Sequence, residues 1–192
     1  MTRRRGFTDL VDRLPKTRAA IAYARREHAG QLRAADGAPF IEHPLEVGRL
    51  LYDAGAADHV IAAGVLHDTL EKTDATAPEL SARFGSQVAE LVCAVTEDAG
   101  ISGYARRKAA LREQVANAGH DALTVFAADK ISKARELRRG DGGRTLVRNR
   151  RLKHYRHCLE MLEEHIPDSP LVGQLRAELA RLPQRPQRVL TA

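Results

Sequence analysis

The chain has 192 residues, enough for one sizeable core, and its 43% hydrophobic and 29% charged residues are ordinary for a soluble globular protein. Aromatics make up only 4% and tryptophan is missing, so the core must be built from Ala, Leu, Val and Ile, which favours packed helices over a sheet sandwich. The formal net charge of +6 suits an anionic partner, although a solvated basic surface is the more common cause.

No stretch approaches the length of a membrane span. The basic opening MTRRRGFTDL lacks the apolar run of a signal peptide, so a cytoplasmic protein is expected. Cys93 and Cys158 show no metal-ligand spacing and fall within helical apolar patterns, which predicts two buried thiols.

In chain order, Pro15 opens and Gly30 closes a first long helix. The loop QLRAADGAPFIEHP then delivers His43 just before Pro44, where the helical region is disfavoured, so His43 is expected on a short extended piece or at a helix start. LEVGRLLYDAG is the next helix, ending at Gly55. Asp58 is expected to cap the apolar helix of VIAAGVLHDTLEKT, and Thr76 to Glu79 form a capping box ahead of LSARF. Ser86 is expected to cap QVAELVCAVTED.

Further helices are predicted over ARRKAALREQVANAG, DALTVFAADKISKARELRR, TLVRNRRLKHYRHCLEMLEEH and PLVGQLRAELARL, with GDGG as a flexible loop. No strand alternation and no internal repeat is visible. The expected fold is all-α: one helical bundle over residues 1–182 and a flexible tail over 183–192, PQRPQRVLTA, which has too little apolar material to pack.

The chemistry concentrates at His43, the adjacent pair His67–Asp68, and Asp129. His43 and His67 are 24 residues apart, and Asp68 and Asp129 are 61 apart, so only a meeting of core helices could unite them. Two imidazoles and two carboxylates suit Mn²⁺, Fe²⁺ or Zn²⁺ and leave coordination positions open. Glu71 lies four residues past His67, so on one continuous helix the two share a face, and a carboxylate there can take a proton from the attacking water. The bland reading stands beside this one, since a lone histidine at a helix end is usually a structural hydrogen-bonder. His154 and His157 are read as lining the surface of a long helix, and His28, His59, His120 and His165 show no ligand context.

With these residues in place the chain resembles the HD phosphohydrolase superfamily. HAGQLRAADGAPFIEHPLEV, AAGVLHDTLEKT, FGSQVAELVCAVTED and VFAADKISKAREL, in this order, are similar to the hydrolase domain of RelA/SpoT-type alarmone enzymes and to stand-alone small alarmone hydrolases. The resemblance implies a hydrolase, dependent on a divalent metal (Mn²⁺), that removes the 3′-pyrophosphate of guanosine tetra- or pentaphosphate. It implies His43, His67, Asp68 and Asp129 as metal ligands, Glu71 as activator of the attacking water, and Arg33 packed against the guanine base.

The chain departs from that pattern at three positions. Lys72 stands where the family carries an aspartate after the glutamate, Ala34 where a basic residue follows the arginine, and Lys133 where an asparagine contacts the nucleotide. Lys72 and Lys133 are therefore candidate substrate-binding residues. They also keep open a different nucleotide or dinucleotide phosphate as substrate. A metal-stabilised module that binds nucleotide or a partner without catalysis is the remaining alternative. Nucleic acid fits less well, for there is charge but no set of stacking aromatics. In the basic run ELRRGDGGRTLVRNRRLK, Arg138, Arg139, Arg144 or Arg148 could reach phosphates, or the run could be a solvated face. Oligomeric state is open.

Overall fold

Residues 7–34, 36–139 and 145–182 are described by this computed structural model. They form α1 (Phe7–Leu10), α2 (Pro15–Glu27), α3 (Glu42–Asp53), α4 (Asp58–Leu66), α5 (Thr69–Lys72), α6 (Ala77–Phe84), α7 (Ser86–Val95), α8 (Tyr104–Asn117), α9 (His120–Arg139), α10 (Thr145–His165) and α11 (Pro170–Ala180). Among these residues there is no strand, only one backbone bridge between Leu32 and Pro39. The fold is all-α. None of the described helices is long and apolar enough to cross a membrane. The expected tail and the GDGG loop lie outside the described residues.

Helix α9 forms the centre. Every residue from Ala122 to Ser132 is buried, and α3, α4, α7, α8, α10 and α11 pack around it. Helix α4 is buried from Val60 to Leu66, as an element apolar on all sides must be. Two glycines set how closely α3 and α4 cross. A Cβ on Gly64 would lie 2.2 Å from Leu51 Cδ1, and one on Gly48 would lie 2.7 Å from Val65 Cγ2. This close crossing brings the start of α3, with His43, against the end of α4.

Four details differ from the sequence expectations. Asp58 does not cap its own helix. Its carboxylate accepts the Lys16 and Thr17 backbone N–H groups at 3.0 and 2.9 Å, capping α2 across 41 residues of chain. Helix α2 begins at Leu14–Pro15, which offers no side-chain acceptor of its own, so the cap comes from elsewhere. Ser86 is the first residue of α7, and the cap position belongs to Gly85 at φ +92°, in the left-handed region glycine tolerates. Cys93 is exposed because the buried stripe of α7 runs through Val88, Ala89, Val92 and Val95, while Cys158 is buried as expected.

The fourth difference is that the helix of VIAAGVLHDTLEKT is interrupted at His67–Asp68, giving α4 and the short α5. Side chains take the carbonyls at the break: His67 Nδ1 donates to Gly64 O at 2.7 Å and the Thr69 hydroxyl to Leu66 O at 2.7 Å.

Candidate metal centre

Three elements converge on one point. The loop before α3 folds back on itself, with Arg33 N–H donating to Ala38 O at 2.8 Å and Phe40 N–H to Gln31 O at 2.8 Å, and leads into His43 in the first turn of α3. The break between α4 and α5 supplies His67 and Asp68, and the buried middle of α9 supplies Asp129. Ligand atoms of His43, His67 and Asp129 all lie within 4.8 Å of one another. Asp68 Oδ2 lies 3.4 Å from the Nε2 atoms of both His43 and His67, so it joins the same cluster. All four side chains are buried.

The geometry calls for a cation. His67 Nδ1 faces a carbonyl, which can only accept, so its proton sits there and Nε2 presents a lone pair. That Nε2 lies 3.1 Å from His43 Nε2, with Asp129 Oδ1 3.2 and 3.4 Å from the two rings. Asp68 Oδ2 and Asp129 Oδ1, both buried, accept no hydrogen bond among the described residues. Buried polar atoms without partners are rare and costly, about 1–3 kcal/mol or more each. Two nitrogens and two carboxylate oxygens aimed at one point fit a divalent metal.

Electrostatics points the same way. Burial opposes charge on His43, yet the Asp129, Asp68 and Glu136 carboxylates 3.2–3.4 Å away hold its pKa up to about 10, so its Nε2 proton and a metal ion would compete for the same carboxylates. Burial likewise opposes ionisation of Asp68, but Lys133 and His67 keep it well below the usual carboxylate range. Against the same burial, Lys130 and Lys133 do this for Asp129. The centre thus holds two charged carboxylates.

Beside the cluster opens a cavity of about 660 Å³, lined by His43, Asp68 and Glu71. The other residues expected to act on substrate also line it. Glu71 sits on α5, and its Oε1 accepts the Glu97 backbone N–H at 2.8 Å. Since α4 and α5 are separate, Glu71 and His67 do not share one continuous helix face, and this contact to Glu97 is what places the carboxylate. Lys72 Nζ stands 5.3 Å from the centre of the Phe40 ring. Arg33 is buried at the cavity edge, clamped through Nε and Nη2 to Asp36 at 3.0 and 2.8 Å and to Glu42 at 3.1 Å. Lys133 Nζ comes to 3.0 Å of Asp129 Oδ1 without hydrogen-bonding alignment.

The sequence profile of the HD domain family matches residues 20–147, about two thirds of the chain. The chain belongs to the HD domain family. It is 39% identical over 123 residues to the human guanosine-3′,5′-bis(diphosphate) 3′-pyrophosphohydrolase MESH1, a match covering 62% of this chain and 68% of that protein. The zebrafish (Danio rerio) protein of the same name is 36% identical over 122 residues, covering 62% and 67%. Among solved structures, the one described as a metazoan ortholog of SpoT that hydrolyzes ppGpp superposes with a TM-score of 0.78 at 25% identity, covering 86% of this chain and 94% of that one.

The HD domain cavity also contains residues that sequence reasoning missed. Arg107, Lys108 and Arg151 line it, giving seven cationic side chains against four carboxylates. Burial, with Lys130 and Lys133 nearby, pushes Lys108 down to about 8, and Glu97 pairs with both Arg107 and Lys108. Of the basic run, Arg138 and Arg139 turn instead to Glu178 and Glu46, at 3.8 and 3.6 Å, and Arg144 lies outside the described residues. Arg148 is half-buried and does not line the cavity. His154 is not on the surface. It is buried in the cavity wall with Arg112 Nη1 3.1 Å from its Nδ1, and burial, then Lys130, Lys108 and Arg112, push its pKa down to about 2. Its place four residues before Cys158, on the buried face of α10, is the signal that could have found it.

Proposed function

We propose that this HD domain is a metal-dependent phosphohydrolase that removes the 3′-pyrophosphate of guanosine tetra- or pentaphosphate. The observation that carries the reading is the convergence of His43, His67, Asp68 and Asp129, with two buried carboxylate oxygens unpartnered, on a cavity of net cationic lining. The names of the human and zebrafish relatives support the same substrate.

His43, His67, Asp68 and Asp129 would hold the ion, for which Mn²⁺ fits the mixed nitrogen and oxygen set. A divalent cation bound there supplies Lewis acidity at the scissile phosphate. Glu71 takes the proton of the attacking water, and the Glu97 N–H holds its carboxylate in place for that transfer. The new bond joins water oxygen to phosphorus, the bond from phosphorus to the ribose 3′ oxygen breaks, and that oxygen takes up a proton to become the 3′ hydroxyl as pyrophosphate is released. Lys72, Lys133, Arg107, Lys108 and Arg151 offset the charge of the phosphates. The Arg33 guanidinium, held flat by Asp36, offers a plane for the base. With an alarmone as substrate, we read the chain as a cytoplasmic protein of the stringent response.

Lys72 and Lys133 favour a second reading, in which the same chemistry serves another nucleotide or dinucleotide phosphate. The test is turnover by the purified chain with Mn²⁺ against a panel of phosphorylated nucleotides, with products identified. Guanosine tetraphosphate is expected to give guanosine diphosphate and pyrophosphate. Preferred release of phosphate from another member of the panel would establish the second reading, and no turnover by a metal-loaded chain would leave only a binding module.

A further inference from the structure

His43 is held from behind by a chain of hydrogen bonds that the reaction itself does not use. Its Nδ1 lies 2.9 Å from Ser132 Oγ, and the Ser132 hydroxyl donates to Glu46 Oε2 at 2.8 Å. Glu46 is anchored in turn: Arg135 Nη1 donates to its Oε1 at 2.8 Å, and Arg135 Nε donates to Glu178 Oε1 at 2.9 Å on α11. The chain runs from α3 through the buried face of α9 to the last described helix.

The direction of these bonds follows from counting protons. A serine hydroxyl has one proton and a carboxylate accepts. Ser132 donates its proton to Glu46, so its oxygen must accept from His43 Nδ1–H. In the neutral ring that ligates a metal, this keeps the His43 proton on Nδ1 and turns the Nε2 lone pair toward His67, Asp68 and Asp129. A second acceptor competes for the same nitrogen: Glu136 Oε1, buried and without a hydrogen bond, lies 3.3 Å from Nδ1. Ser132 stands closer, at 2.9 Å on the buried face of α9, and so decides between them.

We propose that Ser132 and Glu46 are positioning residues that fix the tautomer and orientation of His43 for metal binding, with Arg135 and Glu178 bracing Glu46. The inference rests on the metal-dependent reading above. Such outer partners of a ligating histidine are typically worth about 10–100-fold in metal affinity. Because Ser132 and Glu46 act in series, removing both should cost little more than removing one.

The experiment is a Mn²⁺ titration of the full chain, following free Mn²⁺ by electron paramagnetic resonance, for the wild type and for Ser132→Ala, Ser132→Thr, Glu46→Gln and the Ser132→Ala/Glu46→Gln pair. Alanine and threonine are both tolerated in helices, and the melting temperature of each variant without Mn²⁺ checks its folding. Ser132→Ala is expected to weaken Mn²⁺ binding about 10–100-fold. Glu46→Gln should weaken it in the same direction, the pair should match the worse single variant, and Ser132→Thr should restore binding. Equal Mn²⁺ affinity in the wild type, Ser132→Ala and Glu46→Gln overturns the inference and leaves the proposed reaction standing. A wild-type chain that binds no Mn²⁺ overturns it together with the metal-dependent reading.

Discussion

Lys133 Nζ lies 3.0 Å from Asp129 Oδ1 and 3.9 Å from Asp68 Oδ1, so an ammonium stands against two of the four candidate metal ligands. Burial works against its charge, but Asp129 and Asp68 raise its pKa well above the ordinary lysine value. A divalent ion and this ammonium compete for the same carboxylates. At an effective dielectric of about 20, like charges a few ångströms apart repel by a few kcal/mol, and the side chain, partly exposed, can retreat toward the cavity. Lys133→Asn is therefore expected to tighten Mn²⁺ binding by about tenfold and to raise KM for a polyphosphorylated substrate. Calorimetric Mn²⁺ titration of both proteins checks this, and unchanged affinity would show that the lysine does not contest the site.

Glu71 tests the catalytic reading. In Glu71→Gln the amide oxygen can still accept the Glu97 N–H, so the loop geometry should survive while the proton acceptor is lost. Metal and substrate affinity should hold, and kcat should fall by about 10²–10⁴-fold. Single-turnover kinetics at saturating Mn²⁺ make the comparison. Undiminished turnover would remove Glu71 from the chemistry and leave a metal-stabilised binding module.

Helix positions were legible because Pro15, Pro170, Gly55, Gly85 and Gly119 punctuate the apolar periodicity, and periodicity survives any tertiary arrangement. The Asp58 cap on α2 was not, since a capping side chain 41 residues away leaves no local trace. The four candidate ligands stood out through their family resemblance, while spacing alone could not unite them. Arg107 and Lys108 were invisible for a different reason, and Arg151 could not be told from its neighbours in the basic run on the same ground. In a chain of 31 lysines and arginines, a cation facing a cavity and one facing solvent read alike until the helices are packed. The break at His67–Asp68 was hidden too, because VIAAGVLHDTLEKT contains no helix breaker where the side chains of His67 and Thr69 take over the backbone carbonyls.

Lys72 separates the two substrate readings. Its carbonyl accepts Gln31 Nε2 at 2.9 Å and its ammonium stands over Phe40, so the residue is held at the cavity wall. If it serves a substrate other than guanosine tetraphosphate, Lys72→Asp should raise kcat/KM for guanosine tetraphosphate and lower it for the true substrate. A role in solvent alone predicts that neither rate moves. Parallel assays with both nucleotides decide the matter, and a drop on guanosine tetraphosphate would assign Lys72 to that substrate directly.

His154 predicts how stability depends on pH. Its folded pKa of about 2 lies below the ordinary value of 6.5, because burial disfavours the imidazolium and Lys130, Lys108 and Arg112 add to the penalty. The unfolded chain therefore binds a proton at this residue that the folded chain does not. The stability this represents is fully present above pH 6.5 and is lost progressively as the pH falls toward 2. Each pH unit below 6.5 should cost on the order of 1 kcal/mol, so the loss at pH 5 is about 2 kcal/mol. A His154→Gln variant has no titrating ring there and keeps a donor and an acceptor. Urea unfolding midpoints of the two proteins should diverge as the pH drops from 7 to 5, with the wild type losing more. Parallel profiles would mean that His154 is protonated in the folded chain and that Arg112 does not face a neutral ring.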